Sequence, residues 1–171
     1  MDYELAAIVG FEAVIKSSDG RFREMRCAGL ENGLALIPVT NELLFELAQD
    51  AEMSLNEKTP EFFGSIKPRR LTPQLVSLLL ELSVFTPVAF VEAAYESGAG
   101  EQVAILWQAH KIILGPTTTS WGHFGRTENK VRLSDMAINC ALRRMGVRTQ
   151  VGKDEFDTIG LGRKRNTDAW C

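Results

Sequence analysis

Histidine and cysteine, the side chains most often recruited to hold metals or attack carbonyl carbons, are scarce: two histidines and three cysteines in 171 residues. His110 and His123 lack the H-x-x-x-H or H-E-x-x-H spacing that turns two imidazoles toward one ion. Cys27, Cys140 and Cys171 form an odd set without a C-x-x-C pair. That excludes a zinc ribbon and a paired dithiol, and reads as free thiols in a reducing compartment. No G-x-S-x-G elbow occurs, so serine-hydrolase chemistry has no local signature. Long apolar runs are also missing. The most apolar stretch, Leu71 to Val91, is interrupted by Pro73, Glu81 and Pro87, whereas a membrane span takes roughly 20 apolar residues. The opening MDYELAAIV carries acids where a secretory signal carries lysine or arginine. These absences set the expectation of a cytoplasmic chain without a metal or other cofactor.

The remaining composition is that of an ordinary globular protein, with 45% hydrophobic and 24% charged residues. A chain of this size buries roughly two-thirds of the surface its unfolded form exposes. It has no internal repeat, low-complexity tract or domain linker. We expect one α+β domain over residues 1–171, with an antiparallel sheet centred on Val88 to Leu114 and helices packed on one face.

Local patterns place the elements. Tyr3 to Lys16 reads as a strand closed by Ser17-Ser18-Asp19-Gly20, Phe22 to Cys27 as a possible partner, and Gly33 to Val39 as a third strand. Pro38, which has no backbone donor, belongs at an edge or strand end. Thr40 or Asn41 caps a helix whose Leu43, Leu44, Leu47, Ala48 and Ala51 form one apolar stripe. Thr72-Pro73 starts a second helix, apolar nearly all round and therefore buried. Val88 to Tyr95, Gln102 to Gln108 and Lys111 to Leu114 form a meander. Gly115 to Lys130 is polar, glycine-bearing and aperiodic, and reads as an exposed loop. A last helix is expected with Ser134 as cap, Leu133 and Ile138 as staple, and Gly146 as stop. The tail from Val151 to Cys171 shows too little periodicity to assign.

The segment YESGAGEQVAILW (95–107) is the nearest thing to a signature. A phosphate loop needs converging amides at a helix start with a lysine nearby. Gly98 and Gly100 are instead followed by a strand, so the segment reads as a hairpin turn.

Charge is uneven within a net charge of −3. Between Glu42 and Glu61 six acids face Lys58 alone, while Arg143 to Arg165 holds seven bases against three acids. Glu42, Glu46 and Asp50 recur at spacing four, a negative stripe on the outer helix face that suits a basic partner. Asp154, Glu155 and Asp157 could bring two carboxylates together but read as surface acids. Arg163-Lys164-Arg165 offers too few cations, without aromatic stacking or a helix-turn-helix, for nucleic acid. The threonine-rich stretch places hydroxyls, Trp121, His123 and Arg126 close in sequence. They could serve a partner surface, or a small hydrolase or transferase site with His123 as base and Arg126 holding an anion. A structural component of a larger assembly is a third option.

Three segments, FVEAAYESGAGEQVAILW, INCALRRMGV and DEFDTIGLGRKRNTDAW, together resemble the C-terminal half of small bacterial immunity proteins of polymorphic-toxin and contact-dependent inhibition systems. The resemblance covers about residues 88 to 170. Those relatives more often carry E-x-x-Y-x-G-G-x-G-x-Q, from which Ser97-Gly98-Ala99-Gly100 departs. The resemblance implies a non-enzymatic protein that binds a toxin domain, and it transfers no catalytic residue. The tentative partner-binding set is Glu42, Glu46, Asp50, Trp121, His123 and Arg126.

Overall fold

The computed structural model describes residues 2–50, 68–124, 127–129 and 132–171. Seven antiparallel strands form one sheet. In chain order they are β1 (Tyr3–Phe11), β2 (Ala28–Gly29), β3 (Leu34–Pro38), β4 (Val88–Glu96), β5 (Ala99–Gln108), β6 (Lys111–Phe124) and β7 (Thr127–Asn129). Their spatial order is β2-β3-β1-β4-β5-β6-β7. The helices are α1 (Glu12–Ser17), α2 (Asn41–Gln49), α3 (Pro73–Leu82), α4 (Ala137–Arg144) and α5 (Glu155–Ile159), with 3₁₀ turns at Leu133–Asp135, Leu161–Arg163 and Thr167–Trp170.

The α+β class and the antiparallel sheet match the sequence reading, but helices cover both faces of the sheet, not one. The reason lies in the strand period of two. Both alternate sets along the central strands are apolar. Leu5, Ala7 and Val9 with Val91, Ala93, Ala104 and Leu106 pack toward α4 and α5. Ala6 and Ile8 with Val88, Phe90, Ile105 and Trp107 pack toward α1, α2 and α3. Each of the fully buried Leu75, Leu78 and Leu79 of α3 contributes about 1.5–3 kcal/mol through burial.

Several expected boundaries move. The strand read through Lys16 stops at Phe11. Glu12 to Ser17 then turn helical, with a Glu12–Lys16 ion pair one turn apart and Ile15 driven into the core. Phe22 to Cys27 form turns, held by buried Phe22 and Met25, not a strand. Pro38 does close β3. Thr40 and Thr72 cap α2 and α3 by accepting from the amides of Leu43 and Leu75.

The expected loop from Gly115 is strand as far as Phe124. Its polar threonines are β-branched and suit an edge strand with one solvated face. Gly115 and Pro116 together oppose Ile105, since Ala104 pairs Thr117 and Leu106 pairs Leu114, which makes a bulge.

Ser134 does not cap the last long helix. It lies in a 3₁₀ turn, and α4 starts at Ala137 after Met136, whose side chain makes no cap. The sheet supplies the caps instead: Thr119 Oγ1 accepts from Ala137 N at 2.9 Å and Gln102 Oε1 from Ile138 N at 3.0 Å. Leu133 of the expected staple is exposed, while Ile138 is buried.

The unassigned tail folds as well. Asp154 caps α5 through Asp157 N, and Gly160 closes it in the left-handed region at φ 84°. The chain then runs beside β1, where Glu4 N donates to Arg165 O and Ala6 N to Thr167 Oγ1.

The glycine-bearing segment is a hairpin. Ser97 and Gly98, at φ 50° and 85°, form a two-residue turn between β4 and β5, the geometry of a type I′ turn. Gly100 has a different reason to be glycine: a Cβ there would lie 2.4 Å from Cζ2 of Trp121, whose ring covers it.

Candidate docking face on the second helix

Helix α2 buries Leu43 and Leu47 and turns Glu42, Phe45 and Gln49 outward. The 21–24 turn lies alongside. Arg23, Glu24, Asn41, Glu42, Phe45, Glu46 and Gln49 line a surface groove of about 640 Å³. Phe45 is 69% exposed at its centre, an apolar ring among acids. The lining carries Glu24, Glu42 and Glu46 against Arg23 alone.

The three acids of the expected stripe have different fates. Glu42 is exposed. Glu46 is half-buried, and its two oxygens accept from Arg23 N and Glu24 N, each at 2.8 Å, so it ties the 21–24 turn to the helix. Asp50 is the residue after the last turn of α2, in extended backbone and half-buried. A groove with an aromatic floor and one rigid helical wall therefore replaces the simple stripe. Phe45 was missed by the sequence reading. Its signal was an aromatic residue outside the Leu43-Leu44-Leu47 stripe, on the side of the helix that carries the acids.

Trp121 lies at the other end of the molecule. Its ring packs edge-on to Tyr95 at 5.0 Å, and Tyr95 stacks on Tyr3 at 4.9 Å. The ladder braces the sheet. His123 pairs Glu128 across β6 and β7 in the backbone. Arg126 and the side chain of His123 lie outside the described residues. The loop proposed to carry a His123 and Arg126 site is strand over its first ten residues.

The acidic cluster near the C-terminus is structural. Asp154 caps α5 and accepts from Asn139 Nδ2 at 3.0 Å, while Glu155 is buried and pairs with Arg143 Nε at 2.8 Å. Desolvation, then the charge of Asp154, pushes the Asp157 carboxyl up.

A second charged ledge stands on the α2–α3 face of the sheet, around a cavity of about 50 Å³. Glu92 accepts from Arg69 N at 2.9 Å and Arg70 N at 2.6 Å, while Arg69 pairs with Glu101 and Arg70 with Glu4. Burial pushes the Glu92 carboxyl above the usual carboxylate range, against the pull of the two amides and of both arginines. An acid whose folded pKa is raised stabilises most below its unfolded pKa, and that contribution is lost as pH rises through the folded value. We therefore expect Glu92 to lower stability as pH climbs from the ordinary carboxylate range toward neutrality. Denaturant midpoints across that window check this: Glu92→Gln should flatten the slope relative to wild type.

Among the described residues no helix is long and apolar enough to cross a membrane, and no three His, Cys, Asp or Glu side chains gather where they could hold a metal ion. Fold and groove together define an α+β protein with a rigid acidic face centred on an exposed aromatic ring. Comparisons with models of protein families, with curated proteins and with solved structures find no match to this chain.

Proposed function

We propose that this chain is a non-enzymatic, cytoplasmic immunity-type protein that binds a cognate toxin domain and neutralises it, with the α2 groove as the docking face. The observation that carries this reading is Phe45, 69% exposed inside a groove whose walls bear Glu24, Glu42 and Glu46. An aromatic anchor framed by charges of one sign is the arrangement from which interface hot spots are built. The acids steer a basic partner and oppose the charge its catalytic cleft would offer a phosphate-bearing substrate. Capping by Thr40 and the Glu46 clamp on the 21–24 turn hold the face rigid, which lowers the ordering cost of binding.

The test is to mix the purified chain with the product of the gene beside its own and measure association by calorimetry. A complex at micromolar concentration is expected. Phe45→Ala should weaken it by about 2 kcal/mol or more, the scale of a buried aromatic hot spot. Glu42→Lys should act mainly on the association rate and do so less at high salt. Absence of any complex at micromolar concentration overturns the proposal.

A further inference from the structure

We propose that the outer edge of β6 is a self-association surface that pairs with the same edge of a second copy of this chain. β6 bonds β5 along its inner side, and its outer side meets β7 only at Gly122, His123 and Phe124. Among the described residues no other backbone pairs with the outer side of Thr117 to Trp121. Sheet edges are ordinarily shielded by charge, proline, bulges or short length. Here Pro116 and its bulge close one end of the stretch and β7 closes the other. Between them stand five residues, about the length of an ordinary strand. No Asp, Glu, Lys or Arg occurs from Ile112 to Phe124.

The side chains along this edge are already sorted. Thr119 and Trp121 turn toward α4 and the aromatic ladder, Thr119 accepting from Ala137 N and Trp121 covering Gly100. Thr118 and Ser120 are exposed. A second copy fits this edge on grounds of charge and symmetry. Each copy carries a net charge of −3 and an acidic α2 groove, so faces rich in acid repel. The β6 edge brings two copies together without like charges opposed. Antiparallel pairing about a two-fold axis at Thr119 sets Thr118 opposite the partner's Ser120 and Thr117 opposite the partner's Trp121. Hydroxyl pairs and pairs of a β-branched with an aromatic residue are favoured across strands. The pairing ends at Pro116, where the other copy's β7 begins. One five-residue seam buries less than the roughly 1,200 Å² of a standard interface, so the dimer is weak and reversible.

Sedimentation velocity on the full chain, from low micromolar concentration to near the solubility limit, tests this. Wild type should shift reversibly from monomer to dimer. A variant carrying Thr118→Lys and Ser120→Lys should remain monomeric over the same range with an unchanged circular dichroism spectrum. Phe45→Asp, in the α2 groove, should dimerise as wild type does. Hydrogen exchange on the native chain gives a reading independent of any variant: amides within 117–121 should exchange more slowly at high concentration than at low. A wild-type chain that stays monomeric throughout, a dimer that survives both lysines, or equal exchange rates at the two concentrations overturns the proposal.

Discussion

Asn139→Ala is expected to lower the unfolding free energy by about 2–5 kcal/mol, the range for truncating a buried polar side chain that serves several backbone groups. Asn139 is fully buried in α4. Its Nδ2 donates to Leu133 O at 2.8 Å and to Asp154 Oδ2 at 3.0 Å, and its Oδ1 accepts from Phe156 N at 2.9 Å. One carboxamide therefore joins the 3₁₀ turn before α4 to the first turn of α5. Alanine leaves Leu133 O and Phe156 N without this partner and opens a void beside Asp154. Asn139→Asp separates hydrogen bonding from packing. A carboxylate keeps the acceptor for Phe156 N but faces the Leu133 carbonyl and the Asp154 carboxylate, so this variant should be worse than wild type at neutral pH and recover partly in acid. Urea unfolding monitored by circular dichroism reads both variants. A loss below about 1 kcal/mol for the alanine variant would mean that water takes over the orphaned groups.

The second large effect is expected at Gly100. Gly100→Ala should cost about 1–3 kcal/mol, the range for overpacking, because its Cβ would sit 2.4 Å from the Trp121 ring. The ring must then leave Tyr95, so its fluorescence should shift toward that of a solvated indole. Gly98→Ala is the control. A Cβ at Gly98 meets nothing within 4 Å, and only the φ of 85° opposes it, at about 1–2 kcal/mol with the Trp121 environment unchanged. Thermal melts alone do not separate the two variants; emission spectra do. If both leave the tryptophan spectrum as in wild type, the close packing of Trp121 on Gly100 is wrong.

How far the sequence could be read depended on where each signal lay. Caps made by a neighbour in the chain were legible, as at Thr40 and Thr72. So was the hairpin, because two left-handed residues between alternating strands leave few alternatives. Caps supplied from across the sheet were not: nothing near Met136 announces that Thr119 and Gln102 will receive the amides of α4. β6 was read as a loop because an edge strand need not alternate apolar with polar. The two-sided helix cover could have been inferred from AAIV in β1 and VAFV in β4, where consecutive residues are apolar and so require burial on both faces. Asp154 followed at a short interval by Gly160 was a readable start and stop for α5, obscured by treating the acids as a possible catalytic group. At the candidate site, spacing found Glu42 and Glu46. It missed that Glu46 is already engaged by Arg23 N and Glu24 N, and it missed Phe45, since a stripe drawn from charges leaves out an aromatic residue beside them.

The bond from Ala6 N to Thr167 Oγ1 spans 161 positions. The strand made earliest during synthesis thus waits at the centre of the sheet for some of the last residues to arrive. Contacts of such long range are slow to form. Until they do, part of β1 is an open edge that a ribosome-bound chain has to keep from other strands.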